Sequence, residues 1–176
     1  MANRNACIIA GGMCKWGVRE ASYIDMVQEA AKECLDDIPG LKPKDIDGLL
    51  FASTFVGRRS VQANTAPIVA DRLGLKPTTI CARVDVLCAG GSTGILLAKG
   101  LVESGMSDVI LVVGCEKLYT PERWQVIYGD CGNRPRLGWT ARYRPSATVV
   151  CHDCQGAHET LWDKKGALGD GFRNKL

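Results

Sequence analysis

Along the first two thirds of the chain, short apolar runs alternate with longer stretches in which apolar residues recur every three or four positions. "ACIIAGG" reads as a short buried strand ending in glycines. "SYIDMVQEAAKECLDDI" then places Ile24, Val27, Ala31, Cys34 and Leu35 at helical spacing behind Ser22, a suitable N-cap. Pro39, Gly40 and Pro43 break this helix. A second strand follows in "DIDGLLFAST", and a second helix in "NTAPIVADRLG", closed by Gly74. "TTICARVDVL" is a third strand, "STGILLAKGLVESG" a third helix and "DVILVVGCEK" a fourth strand. Such alternation over residues 5–117 predicts an α/β fold with a mostly parallel sheet covered on both faces.

After about Asp130 this texture ends. "CGNRPRLGWTARYRPS" carries arginines, glycines and prolines with no apolar period of either kind. The chain therefore divides into a layered α/β part, residues 1–130, and an irregular tail, residues 131–176. With so little to bury, the tail is expected to be poorly ordered, because burial is what offsets chain entropy.

Composition adds limits more than leads. At 176 residues, 46% hydrophobic and 23% charged, the chain is about one domain of ordinary globular make-up. A net charge of +3 is too small to indicate nucleic acid, which needs a concentrated basic face. No apolar run approaches the ~20 residues of a membrane helix. The opening "MANRNACIIAGG" lacks the pattern of a secretory signal, so a cytoplasmic location is expected. In that reducing setting the nine cysteines read as free thiols.

The stretch with chemical promise is "VDVLCAGGSTGI", where a strand hands over to a helix at Cys88. Unpaired amides and the positive end of a helix dipole meet at a helix N-terminus and favour negative charge. A cysteine there has more of its reactive thiolate form. Ala89, Gly90 and Gly91 are small enough to let a substrate carbonyl approach the backbone, and the Cys88 amide is placed to help hold an oxyanion. Cys88 thus has the attributes of a nucleophile that accepts an acyl group as a thioester. Its competing reading is a buried small hydrophobe, the common fate of free cysteine and the one expected for Cys7, Cys34, Cys81 and Cys115. "AGGSTGI" also imitates part of a dinucleotide loop, but it follows the third strand instead of the first and lacks the full spacing.

"ARVDVLCAGGSTGILLAKGLVESGMSDVILVVGCEKL" resembles the nucleophile segment of thiolases, above all the archaeal and sterol-carrier-protein type. "DIDGLLFAST", "ANTAPIVADRLGL" and "IIAGG" resemble the same family in the same order, and the likeness runs from Met1 to about Asp130. It implies the incomplete N-terminal half of a thiolase-like layered α/β fold. It also implies acyl transfer from a coenzyme A thioester to Cys88, with acyl-CoA as substrate and no cofactor bound. Members are usually dimers or tetramers, so a homo-oligomer is expected of the parent enzyme. The family's histidines and second cysteine lie in a second half that has no counterpart here. His152 and His158 do not sit in its histidine motifs. The chain alone is therefore expected to show little or no condensing activity.

Two accounts of the tail compete. Cys151 and Cys154 form a C-x-x-C pair, His158 follows, and Cys131 offers a fourth ligand for tetrahedral zinc. That would make the protein a non-catalytic binding or scaffold module with a small zinc site; a regulatory subunit binding a full-length relative is a further alternative. The other account covers more residues. Written in suitable codons and read one base on, "CHDCQGAHETLWDKKGAL" becomes "AMTAKAHMKRYGTKKEH", and "NRPRLGWT" becomes "IAHDWDG", both resembling segments of thiolases. Every tryptophan codon must give glycine in that frame, and Trp139 and Trp162 fall where the family pattern has glycine. The tail then reads as family coding sequence out of frame, with the slip near Gly129 to Cys131. Arg58 and Arg59 are candidates for coenzyme A phosphates, against the plainer reading of solvated surface arginines.

Overall fold

The computed structural model of the chain describes residues 4–15, 17, 19–117 and 146–151. Strand β1 (Cys7–Met13) leads to helix α1 (Tyr23–Asp36), which starts where Ser22 was expected to cap it. The Ser22 hydroxyl accepts the Asp25 N–H at 3.2 Å, and the Asp25 carboxylate accepts the Ser22 N–H at 2.8 Å. This reciprocal box satisfies two amides that the helix cannot pair itself. Met26, Val27, Ala30, Ala31 and Cys34 form the buried stripe, with Ile24 and Leu35 packed at its margin. Gly12 explains how close α1 lies to β1: a Cβ there would meet Ala30 O at 2.4 Å and Cys34 N at 2.5 Å.

Strand β2 (Gly48–Ala52) is buried along its whole length, as a strand covered on both faces must be. A short helix, α2 (Val56–Arg59), precedes α3 (Thr65–Arg72), which ends at Gly74 in a left-handed conformation with φ +69°. Strand β3 (Ile80–Val84) and a 3-10 turn at Leu87–Ala89 lead into α4 (Gly90–Glu103), and β4 (Val109–Gly114) returns to the sheet. Helix α4 begins two residues before the expected "STGILL", because the turn at Leu87–Ala89 runs directly into it.

The sheet order is β1-β5-β4-β2-β3. β2 pairs in parallel with β3 and with β4, whereas β5 (Ser146–Cys151) runs antiparallel to both β4 and β1. The α/β reading holds, but the sheet is mixed instead of mostly parallel. β5 also lies inside the segment expected to be irregular. Its Ala147, Val149 and Val150 are buried, and it fills the gap between β1 and β4, which would otherwise be two unpaired edges.

Two apolar layers flank the sheet. Helices α1 and α3 cover one face over Leu49, Phe51, Leu111 and Val113. Helix α4 covers the other, over Leu50, Ile110, Val112 and Val150. Its sheet-facing positions are Gly90, Gly94, Ala98 and Val102, four apart and mostly small, so it sits close to the strands. A Cβ on Gly94 would come within 2.8 Å of the Val112 side chain. Each fully buried aliphatic side chain in these layers contributes roughly 1.5–3 kcal/mol.

Cys7 is disulfide-bonded, a departure from the expectation that every thiol is free. Strand register brings together cysteines far apart in sequence: the Cys7 backbone lies opposite Cys151. Among the described residues no helix is long and apolar enough to cross a membrane.

Candidate active site

The strands β2, β3 and β4 end together, and the three loops leaving them are tied by main-chain bonds. Ser53 N–H donates to Val84 O and Cys115 N–H to Ala52 O, both at 3.1 Å. Cys88 stands in the loop from β3, inside the 3-10 turn that opens α4, so the strand-to-helix position inferred from sequence is observed. It is exposed. The residue before it, Leu87, has φ +48° and is 66% exposed, an unusual conformation for a leucine. A non-glycine residue held this way indicates that the surrounding structure dictates the turn.

Ala89 is exposed, Gly90 buried and Gly91 half-buried. Gly90 has a packing reason for being small: a Cβ there would touch Ala52 Cβ at 3.4 Å and Val84 O at 3.6 Å. Ala89 gives the first turn of α4 no side-chain cap, while Ser92 Oγ turns back to donate to Ala89 O at 3.0 Å.

The other free cysteines among the described residues behave as core. Burial pushes the Cys34 thiol up to about 12, and it raises Cys14, Cys81 and Cys115 as well. Cys14, Cys34 and Cys115 are buried and Cys81 partly so, whereas Cys88 faces solvent. The expectation of core filling therefore holds for Cys34 and Cys115, and for the partly buried Cys81.

Beneath the Cys88 loop lies a polar knot to which the sequence reading gave no role. Glu116 follows β4, and its carboxylate accepts the N–H groups of Thr54 at 2.8 Å and Phe55 at 3.1 Å. Thr54 passes the connection on, its hydroxyl donating to Asp85 Oδ1 at 2.8 Å. Arg83 reaches the other oxygen of Asp85 at 3.4 Å. Burial raises the Glu116 carboxyl above its ordinary value, with the nearby Asp85 charge acting the same way and the Thr54, Phe55 and Val56 amides opposing both. The signal in the sequence was a charged residue directly after the apolar run "VILVVGC", two positions beyond the end of β4.

The proposed zinc ligands Cys131, Cys154 and His158, the slip near Gly129 to Cys131, and His152 lie outside the described residues. The backbone of Cys151, the fourth member of that set, ends β5. Among the described residues no three potential ligands cluster as a metal site. The side chains of Arg58 and Arg59 also lie outside the description, so their contacts with a substrate are not assigned.

The sequence profile of the family described as "Thiolase, N-terminal domain" matches residues 6–126, which spans every element from β1 to β4 and the Cys88 loop. The chain belongs to the thiolase family. An acetyl-CoA acetyltransferase from Methanocaldococcus jannaschii is 32% identical over 143 residues, covering 72% of this chain and 35% of that protein. A β-ketoacyl-(acyl-carrier-protein) synthase III from Listeria welshimeri is 34% identical over 111 residues, covering 60% of this chain and 34% of that one. Among solved structures, OleA from Xanthomonas campestris shares the fold with a TM-score of 0.63 at 16% identity, over 92% of this chain and 61% of OleA. The chain thus spans about a third of the length of such curated thiolase-family relatives.

Proposed function

We propose that this chain is the nucleophile-bearing part of an acyl-CoA acyltransferase, with Cys88 accepting the acyl group. The supporting observation is the placing of Cys88: among the described residues it is the exposed free cysteine, and it stands at the start of a 14-residue helix. In the proposed step Cys88 Sγ attacks the thioester carbonyl carbon. The oxyanion that forms is met by backbone amides of the turn and of the first turn of α4. The carbon–sulfur bond to coenzyme A then breaks, the thiol proton ends on the departing coenzyme A, and the acyl group remains on Cys88. One thioester is exchanged for another, so no oxidant, metal or energy donor enters the balance.

The names of the relatives support a coenzyme A thioester as substrate: several are acetyl-CoA acetyltransferases. Condensation needs more than this step, because a base must remove a proton from a second thioester. The chain's two histidines, His152 and His158, lie outside the described residues, and no histidine accompanies Cys88 there. The proposal is confined to the acylation step. Incubation with acetyl-CoA, followed by peptide-resolved mass spectrometry, tests it. One acetyl group is expected on Cys88 and none at that site in Cys88→Ser; equal labelling elsewhere in both proteins would count against it.

A further inference from the structure

We propose that Glu116 is a positioning residue for Cys88, holding the reactive turn in register with α4 through Thr54 and Asp85. The inference rests on the acyl-accepting reading of Cys88 and extends it to groups that never touch the substrate. Glu116 is the one acidic side chain in the knot whose described partners are backbone amides alone: Thr54 N–H, Phe55 N–H on both oxygens, and Val56 N–H. A carboxylate in that place fixes the direction of the loop leaving β2. Ser53 Oγ tightens the same loop by accepting the Val56 N–H at 3.3 Å.

The loop from β2 in turn fixes the loop from β3. Thr54 Oγ1 donates to Asp85, and Ser53 N–H holds Val84 O, so both residues leading towards the nucleophile are attached to what Glu116 clamps. Only Val86 and Leu87 separate Asp85 from Cys88. Leu87 takes up the left-handed bend, and the Ala89 N–H closes the turn onto Val86 O at 3.0 Å. A bend unfavourable for leucine persists only while its two ends are pinned. One end is α4, seated on the sheet through Gly90 and Gly94; the other is Asp85. Releasing Asp85 lets the turn relax and moves the thiol relative to the amides, with no loss of exposure.

That difference supplies a readout that a general loss of structure would not give. Alkylation by iodoacetamide needs only an accessible thiol, whereas acylation needs the thiol placed against the amides that hold the oxyanion. In Glu116→Ala, acetyl transfer from acetyl-CoA to Cys88 should fall by about tenfold to a hundredfold, the scale of a small misplacement of reacting groups. Alkylation of Cys88 should stay within about threefold on the same argument. Glu116→Gln, which keeps one acceptor oxygen, should fall between the two. Buried Cys34 and Cys115 report the fold in the same experiment, since they remain unlabelled while the core is intact.

Unchanged acetyl transfer in a folded Glu116→Ala protein overturns the proposal, as does a parallel fall in both reactions. If Glu116→Ala exposes Cys34 and Cys115, the decision passes to Thr54→Val, which removes only the hydroxyl link to Asp85; acetyl transfer at the wild-type rate then overturns it. Absence of acetyl transfer in the wild type is a separate outcome, and defeats the acyl-accepting reading itself.

Discussion

The two ends of the sheet are built on the same plan and left in different states. At the end where β2 and β4 begin, Asp47 ties the segments together. Its main-chain oxygen accepts the N–H groups of Thr78 and Thr79 and the Thr79 hydroxyl. Its carboxylate accepts the N–H groups of Asp108 at 2.7 Å and Val109 at 3.3 Å. Arg4 adds an ion pair to Asp108. At the end where the strands finish, Glu116 performs the equivalent tie on Thr54 and Phe55. There, however, the next turn contains a strained leucine and an exposed thiol. One end is finished off with hydrogen bonds; the other presents an exposed thiol, the nucleophile proposed above. This division follows the general habit of α/β sheets to place chemistry beyond the carboxyl ends of their strands.

The comparison can be broken most severely by forcing the layers apart. Gly12→Val puts a branched side chain where even a Cβ meets the α1 backbone at 2.4 Å, so the chain should fail to fold; retention of a cooperative thermal transition would contradict the packing described for β1 and α1. Gly94→Ala is milder, because the obstacle is the tip of Val112 at 2.8 Å. It should cost about 1–3 kcal/mol in urea unfolding as α4 shifts, and because Cys88 stands in the turn that opens α4, acetyl transfer should fall as well.

Asp47→Ala sharpens the contrast between the two ends. Losing the acceptor for two amides should cost about 1–3 kcal/mol of stability, with acetylation of Cys88 in the folded fraction unchanged. Slowed acetylation there would show that the ends are not independent.

The smallest effect concerns pH. Because the Glu116 carboxyl is raised above its ordinary 4.5 by burial, the folded state holds its proton to higher pH than the unfolded state does. Stability contributed by this group is therefore present at low pH and declines as pH rises through the window just above 4.5. Asp25, Glu29 and Glu103 act oppositely: hydrogen bonds lower them, so their contribution is present above the ordinary carboxylate range and lost as pH falls. Urea midpoints of Glu116→Gln and wild type measured between pH 4 and 7 should diverge in slope, the wild type declining more with rising pH. Parallel curves would contradict the burial assigned to Glu116.

Much of this architecture was legible in the sequence because local signals agreed with the fold. Ser22 announced the start of α1, Gly74 the end of α3, and the unbroken apolar runs of β2 and β4 their double burial. Cys88 was legible for the same reason, as a thiol where strand pattern gives way to helix pattern. β5 was not, because "SATVVC" is too short to show a period and its partners lie more than thirty residues away along the chain. The Glu116 knot was hidden because it joins the ends of separate strands, which no single window of sequence contains.

The central claim is tested most directly by following the fate of acetyl-CoA on the intact protein. Peptide mass mapping at neutral pH is predicted to find the acetyl group on Cys88, absent from Cys88→Ser, with Cys34 and Cys115 unmodified in both. An acetyl group spread evenly over the thiols, or none on Cys88 while iodoacetamide still reaches it, would contradict the account.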